Sequence, residues 1–266
     1  MRGAAVLALL PALAACPPPA AAERLPIRTF TAADGLGSSF VSDVTQDASG
    51  YLWFATRDGL SRWNGYEFTT LADAAGLANP TVERVLQVRS GRYFAIDNDG
   101  ALYSYRPPPA GATTTGTVVF QRVPVQAGGE DLRVTRLYED RSGEVWAGGH
   151  GALIKGIGTT NTVMALRHPA HASRPVVLVR ALQEDKAGSL WIGTNWGLFR
   201  LGRDGALTHY SLAPRDNGDI VGALAVDGRG RLWIGHSWLG VVILNPAPAG
   251  EPPASRPLAI TALRGP

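Results

Sequence analysis

The sequence predicts an all-β propeller of about five four-stranded blades, either a ring in itself or a fragment of a larger propeller, on three observations. The pattern D-x-x-G-x-x-W recurs at Asp47/Gly50/Trp53, Asp140/Gly143/Trp146, Asp185/Gly188/Trp191 and Asp227/Gly230/Trp233, with a worn copy at Val88/Gly91/Phe94. The Trp-equivalent positions recur every 41 to 52 residues, inside the period of propeller blades and longer than that of leucine-rich arrays. Gly (32) and Pro (19) are abundant among the 266 residues and no 3.6-residue periodicity runs through the body of the chain, which favours many short strands over helices.

Each part of the repeat has a physical task. An Asp side chain accepts hydrogen bonds from backbone N–H groups just ahead of it, and Gly takes positive φ without steric penalty, so D-x-x-G closes a hairpin. Trp then anchors the second strand. A blade covered on both faces by its neighbours needs that strand apolar throughout, as in Leu190-Trp191-Ile192 and Leu232-Trp233-Ile234. A small residue follows two positions after Trp, namely Ala55, Gly148, Gly193 and Gly235, where strands crowd. The preceding strand begins with Val and carries a second apolar residue three later: Val41/Val44, Val82/Val85, Val134/Leu137, Val179/Leu182 and Val221/Leu224.

In chain order, residues 1–22 read as an export signal, with Arg2, an apolar core from Ala4 to Ala15, and a small-residue cleavage site at Ala20-Ala21-Ala22. The single cysteine, Cys16, ends Leu13-Ala14-Ala15-Cys16, a tetrad that resembles a bacterial lipobox. Lipidation at Cys16 and ordinary cleavage after Ala22 both stay open at this point, and the expected location is periplasmic or exported. The propeller is expected over 27–244. Its lead-in, Ile27 to Phe30, is read as an outer strand that completes the last blade and so removes an exposed edge. Blades are expected at about 38–71, 82–123, 134–168, 179–211 and 221–244. The first contains the hairpin signal Asn64-Gly65. The second carries a Pro/Thr/Gly-rich insertion from Arg106 to Gly116, and the fifth ends after its third strand. Residues 245–257 read as a Pro-rich linker, and 258–266 as an isolated strand opening a further domain.

Composition excludes several classes. The formal charge of +3 is scattered, with no basic run and no nucleic-acid reading motif, so no nucleic-acid partner is expected. Nothing after the signal is long and apolar enough to span a membrane, which leaves the signal or a lipid anchor as the membrane contact. The five histidines, His150, His168, His171, His209 and His236, lack metal-ligand spacing, and neither a metal nor a cofactor is expected.

The fuller pattern Val-x-x-(apolar)-x-x-Asp-x-x-Gly-x-(apolar)-Trp-(apolar)-Gly-Thr-x-x-Gly-Leu stands at Val179 to Leu198. It resembles the two-component regulator propeller repeat of the periplasmic sensor regions of bacterial hybrid histidine kinases, and the likeness runs from about 30 to 244. Pro257 to Arg264 is similar to the first strand of the immunoglobulin-like domain that follows the propeller in that family. The resemblance implies a sensor that binds a small molecule, such as a carbohydrate, or a protein, and that is non-catalytic by itself. It also implies a separate histidine kinase or another propeller chain as partner. Streptogramin-lyase-like propellers look similar too and keep a lyase or hydrolase as the alternative.

The recurrence of Asp47, Asp140, Asp185 and Asp227 in one register marks them as turn residues rather than catalytic acids. The loops after the second strand vary while the framework repeats, and they open on the face where a funnel binds ligands. Arg57, Asp58, Asn98, His150, Asn195, Trp196, His236 and Trp238 are therefore the candidate ligand-binding residues, with flat aromatic faces among polar groups. No catalytic residue is nominated.

Overall fold

The computed structural model describes residues 27–71, 76–108, 118–158, 161–167, 176–212 and 219–245, and residues 261–263 by their backbone alone. The expected signal with Cys16, the linker from 246 onward, His168 and His171 lie outside the described residues. Five four-stranded antiparallel sheets follow one another, each with its strands in sequence order. Blade one holds β1 (Val41–Gln46), β2 (Leu52–Thr56), β3 (Gly59–Trp63) and β4 (Phe68–Leu71). Blade two holds β5 (Val82–Gln87), β6 (Tyr93–Asp97), β7 (Leu102–Tyr105) and β8 (Gln121–Val123). A two-stranded hairpin, β9 (Gln126–Ala127) and β10 (Glu130–Asp131), precedes blade three, which holds β11 (Val134–Glu139), β12 (Val145–Gly149), β13 (Ala152–Lys155) and β14 (Thr162–Ala165). Blade four holds β15 (Val179–Glu184), β16 (Leu190–Thr194), β17 (Gly197–Leu201) and β18 (Leu207–Tyr210). Blade five holds β19 (Val221–Val226), β20 (Leu232–His236), β21 (Gly240–Leu244) and β22 (Thr261–Leu263). The protein is an all-β propeller of five such blades.

The repeated motif is one hydrogen-bonded unit. In blade four Asp185 Oδ1 accepts the Ser189 N–H at 2.9 Å, while Oδ2 accepts the Trp191 indole N–H at 2.8 Å. The same indole bond occurs at Asp47–Trp53 (2.8 Å), Asp140–Trp146 (2.8 Å) and Asp227–Trp233 (2.9 Å). The six-residue interval therefore has a reason: it brings the indole of the second strand back over the turn that starts it. Gly188 adopts φ +83°, where an L side chain would be strained, and closes the hairpin by donating to the Asp185 carbonyl. Gly50, Gly143 and Gly230 repeat that conformation at φ +86°, +88° and +85°, and donate to the carbonyls of Asp47, Asp140 and Asp227 at 3.0, 3.0 and 2.9 Å. Unlike the buried Trp191 that each motif leads to in blade four, these glycines are not core residues. Gly143 is exposed and Gly230 only half-buried, so this position serves first the bend of the backbone, although a Cβ at Gly188 or Gly230 would also meet Arg203 or Lys186. In blade two donor and acceptor are missing together. Val88 and Phe94 are both buried, and the backbone bonds Val88 to Arg92 and Gly91 to Val88 keep the turn.

Every first strand carries a bulge after its opening Val, at Val41/Asp43, Val82/Arg84, Val134/Arg136, Val179/Ala181 and Val221/Ala223. The extra residue bends the strand and re-aims its neighbours, as bulges do. Four apolar clusters then join the blades in succession: Trp53 and Leu60 with Val82 and Tyr93, Phe94 and Ile96 with Val134 and Ile154, Trp146 and Leu153 with Val179 and Ile192, and Trp191 and Leu198 with Val221 and Ile234. Among the described residues no apolar cluster and no hydrogen bond joins blade five to blade one. Val41 and Val44 on the free face of blade one are 37% and 52% exposed, and the blades accordingly form an open arc.

Three expectations differ from what is observed. Blade five has a fourth strand: Thr261–Leu263 pairs antiparallel with β21, in the register Val241 to Leu263. It is not the isolated opening of another domain, and the Pro-rich stretch before it hides its kinship to blade five. Ile27 to Phe30 forms no strand. Phe30 instead packs its ring against Trp63 at 4.9 Å and Phe68 at 5.5 Å, on the outer hairpin of blade one. Asn64-Gly65 opens a four-residue turn rather than a two-residue one, in which the Asn64 carboxamide accepts the N–H groups of Tyr66 and Glu67 at 2.8 and 2.9 Å.

Candidate functional site

The loops after each second strand stand on one rim, and the structure gives most of their predicted residues a local duty. Asn195 clamps the lead into its own blade, accepting from Leu178 N–H at 2.6 Å and donating to the Val176 carbonyl at 3.2 Å. Trp196 is part-buried in the cluster between blades three and four, and its carbonyl meets His209 Nε2 at 2.7 Å. Arg57 lies over the Phe40 ring at 4.0 Å, and Asp58 donates its N–H to Thr56 Oγ1 at 3.2 Å. The Asn98 carbonyl accepts from Arg133 Nη2 at 2.7 Å. His150 donates its N–H to the Arg133 carbonyl, and burial together with the Arg133 charge lowers its pKa.

His236 is a buried clamp. Its Nε2 meets Asp219 Oδ1 at 2.9 Å, and its Nδ1 accepts the N–H groups of Trp238 and Leu239, each at 3.1 Å. Asp219 Oδ2 in turn accepts from Ser211 Oγ and Leu212 N–H, both at 2.9 Å. A fully enclosed imidazole with partners on both nitrogens fixes a turn and does not reach solvent. Trp238, 76% exposed, is the aromatic face this turn presents. Within the predicted set the structure thus couples His236 to Trp238 by a hydrogen bond, whereas Asn195 and Trp196 are chain neighbours with separate partners. His150 belongs to a different turn, so no cluster of His150, His236 and a carboxylate forms.

Asp97 behaves as a second copy of the framework motif. Its Oδ1 accepts from Asp99 and Ala101 N–H, and its Oδ2 from the Tyr103 hydroxyl at 3.0 Å. The spacing D-x-x-G-x-x-Y at Asp97, Gly100 and Tyr103 carried that signal in the sequence.

The strongest electrostatic feature lies on the innermost strands, away from every loop residue singled out by sequence. Arg84, Arg136 and Arg180 come from the bulged starts of β5, β11 and β15. Arg136 donates Nε to the Arg180 carbonyl and Nη1 to the Thr135 carbonyl at 2.6 Å, and Arg84 donates Nη1 to the Ser42 carbonyl at 3.0 Å. Burial first, and then the like charges of Arg84 and Arg180, push Arg136 down to about 10, against the opposing pull of Asp43 and Glu83. The Arg136 guanidinium is thus lowered mainly by burial, with the like charges of Arg84 and Arg180 partly offset by Asp43 and Glu83. The available signal was positional: a basic residue one or two places after the opening Val in three successive blades.

The opposite rim holds a cleft of about 630 Å³ between blades three and four, lined in part by Arg141, Trp146, Lys155, Lys186 and Arg203. Its cations are largely engaged in stitching blades together. Arg89 Nη1 reaches the Arg141 carbonyl at 3.0 Å, Arg141 Nη1 the Lys186 carbonyl at 3.3 Å, and Lys186 Nζ the Gly228 carbonyl. The turn glycines keep this rim low. The Lys186 stem crosses over Gly230, where a Cβ would meet its Cδ at 3.2 Å, while at Gly143 the nearest atom to a Cβ is Glu139 Oε1 at 3.9 Å. Among the described residues no group of three or more His, Cys, Asp or Glu is placed to hold a metal, and no helix is long and apolar enough to cross a membrane.

The family model described as two component regulator propeller matches residues 35–58 and 173–196, in blades one and four. A histidine kinase, P4, of Formosa agariphila is 49% identical over 41 residues, which is 15% of this chain and 3% of that protein. Two solved extracellular domains from B. thetaiotaomicron are similar in fold. The one described as belonging to a one component system has a TM-score of 0.60 at 20% identity and the one described as belonging to a hybrid two component system 0.59 at 19%. They cover 77% and 78% of this chain, and the chain spans 27% of each of them. A streptogramin B lyase has a TM-score of 0.57 at 15% identity, covering 77% of this chain and 64% of its own.

Proposed function

We propose that this chain, which carries two-component regulator propeller repeats, is an exported ligand-sensing propeller of a two-component regulatory system. It binds an anionic small molecule and performs no chemistry by itself. The observation that carries the ligand class is the meeting of Arg84, Arg136 and Arg180 on three adjacent innermost strands, where the charges of Arg84 and Arg180 bear on the half-buried Arg136. A carboxylate or sulfate group seated there relieves that repulsion and gains charge-assisted hydrogen bonds in a preformed geometry. Trp238 on the variable rim adds an aromatic face suited to a sugar ring. Signal output belongs to a separate histidine kinase, for which the propeller supplies the ligand-dependent surface.

A lyase or hydrolase reading needs an acid or base that reaches substrate. His236 and Asp219 are the one such pair in hydrogen-bonding reach on the variable rim among the described residues, and the His236 side chain is 0% exposed. That enclosure favours the sensor over the enzyme.

Calorimetric titration at low salt tests the reading, with trigalacturonate as the anionic probe and maltotriose as its neutral control. Arg136→Gln and Arg180→Gln are each expected to weaken trigalacturonate binding by about tenfold or more, in keeping with a charged hydrogen bond of about 1.5–3 kcal/mol. Equal binding of the two sugars, or indifference to both substitutions, would reject the arginine row as the site.

A further inference from the structure

The geometry points to the two ends of the arc as a matched docking pair for further blades of this same repeat. Four features recur at the internal blade junctions, the first at all four and the others at two or three, and each has one half present at each end and unmet among the described residues.

The first is apolar. The opening valines of blades two to five are sealed against the blade before them, with Val82 and Val221 at 0%, Val179 at 1% and Val134 at 2% exposure. Val41, the same position in blade one, is 37% exposed. Val44 is 52% exposed where its counterpart Val85 is 2%. The second feature is the socket these valines enter. A Cβ built on Gly148 would meet Val179 Cγ1 at 2.4 Å, and one on Gly193 would meet Val221 Cγ1 at 2.7 Å. At Gly235, the equivalent position of blade five, the nearest atom is Ala223 Cβ of the same sheet at 3.2 Å. Blade one therefore presents a knob without a hole, and blade five a hole without a knob.

The third feature is polar. At three of the four junctions the residue after the turn Asp, or its Val88 equivalent, donates its N–H to the side chain that ends the first strand of the next blade: Ala48 to Gln87 at 2.7 Å, Arg89 to Glu139 at 2.9 Å and Arg141 to Glu184 at 2.8 Å. Gln46 occupies that acceptor position in blade one. Its Nε2 is tied to the Gly50 carbonyl at 3.2 Å, as Gln87 Nε2 is to Gly91 at 3.5 Å, which leaves its oxygen turned outward. Gly228 is the corresponding donor on blade five. The fourth feature is on the other rim, where Gly59, Gly151 and Gly197 donate to Pro80, Val177 and Asp219 of the next blade's lead. Among the described residues Gly240 makes no such bond to blade one.

These halves specify their occupant. A blade of the same repeat offers the hole for Val41 at one end and the valine for Gly235 at the other, with N–H and carboxamide groups in register, which an unrelated apolar surface does not. Propellers hold about four to eight blades, so five in place leave room for up to about three. A second copy seated in the same way would exceed that number, so the occupant is a shorter array of one to three blades.

The test extends the full chain beyond Pro266 with a copy of its own residues 134–211, which begins with the Val134 knob and ends past the Gly193 socket. The tandem chain is expected to be monomeric and to melt at least about 5 °C above the parent, a shift on the scale of about 1 kcal/mol or more for a domain of this size. Val41→Asp is expected to leave the parent's midpoint within about 1 °C, because Val41 is already wet, and to lower the tandem chain's by about 4 °C or more. Equal effects in both chains, no gain on extension, or a parent that is a dimer abolished by Val41→Asp would each overturn the proposal, the last by assigning the faces to a second copy. A second measurement is independent of whether the tandem chain folds. In a Cys16→Ser background, Val41→Cys and Gly235→Cys of the parent should both react with a maleimide at the rate of a free thiol. Protection of either would mean that the face is already covered.

Discussion

The Asp–indole bond makes a prediction that the chain has already rehearsed in blade two, where Val88 and Phe94 stand in for Asp and Trp. Asp185 and Trp191 are each 1% exposed. Asp185→Val removes the acceptor of two hydrogen bonds, from Ser189 N–H and Trp191 Nε1–H, and strands the indole donor where no water reaches it. At about 1.5–3 kcal/mol for a bond to a charged group, the loss is roughly 3–5 kcal/mol. Trp191→Phe takes away one donor and part of a buried ring and costs about 2–3 kcal/mol. The double substitution removes donor and acceptor together and leaves the apolar pair that blade two tolerates. It should therefore cost about 1.5–3 kcal/mol less than the sum of the two singles. Urea unfolding followed by far-ultraviolet circular dichroism, free of the altered tryptophan signal, measures all three. If the singles add to within about 0.5 kcal/mol, the indole bond is not the coupling that sets the motif's spacing.

Other outcomes follow from the same structure. Asp140 is held below the ordinary carboxylate value of 3.8: burial pulls it upward, but bonds from Ser142, Trp146 and the Glu144 N–H outweigh that pull, and Asp227 is held lower still, first by Trp233. Because the folded-state values are depressed, their stabilisation is present above about pH 4 and is lost as pH falls through them. Asp140→Asn should therefore weaken the chain at neutral pH and flatten the acid limb of a stability-against-pH curve. Gly148→Ala, whose Cβ would meet Val179 Cγ1 at 2.4 Å, should lower the unfolding free energy by about 1–3 kcal/mol, whereas Gly235→Ala, whose Cβ would meet nothing nearer than Ala223 Cβ at 3.2 Å, should cost less, about 1 kcal/mol or under, in the same urea titration. Trp238→Ala should leave the melting midpoint unchanged, since the ring is 76% exposed, and weaken sugar binding in the calorimeter if the indole is a stacking face.

The blade framework was legible because its cause is local. Asp, Gly and Trp act within seven residues, and a hairpin that closes on itself leaves its signature in the sequence. The candidate site was less legible, because loop residues such as Asn195 and His236 were judged by chemical type, and type does not reveal whether a polar group faces a ligand or the backbone beside it. Asn195 is bound to Leu178 and Val176, and His236 to Asp219, Trp238 and Leu239. The arginine row was invisible for a different reason. Arg84, Arg136 and Arg180 are more than 40 residues apart in sequence, and each lies at a bulge, which composition does not announce, one (Arg180) or two (Arg84 and Arg136) residues after the opening Val of its strand. Thr261–Leu263 was misjudged because a long connection separated it from the hairpin it completes.

The two rims of the arc divide the work between stability and recognition. On the rim of the Asp turns, Arg89, Arg141 and Lys186 each reach a carbonyl of the next blade, while Gln87, Glu139 and Glu184 accept from the blade before. A change there disturbs two blades at once, so that rim is held to one pattern by its own mechanics. On the other rim the Gly59, Gly151 and Gly197 bonds to the next blade's lead are made by backbone alone, and Asn195 and His236 clamp the lead into their own blades. The side chains beyond the clamp are free to differ, and Trp238 is the one that departs furthest from the framework. Recognition is accordingly expected from the variable rim and the inner arginines, and a scan of substitutions along the Asp-turn rim should change melting temperature without changing ligand affinity.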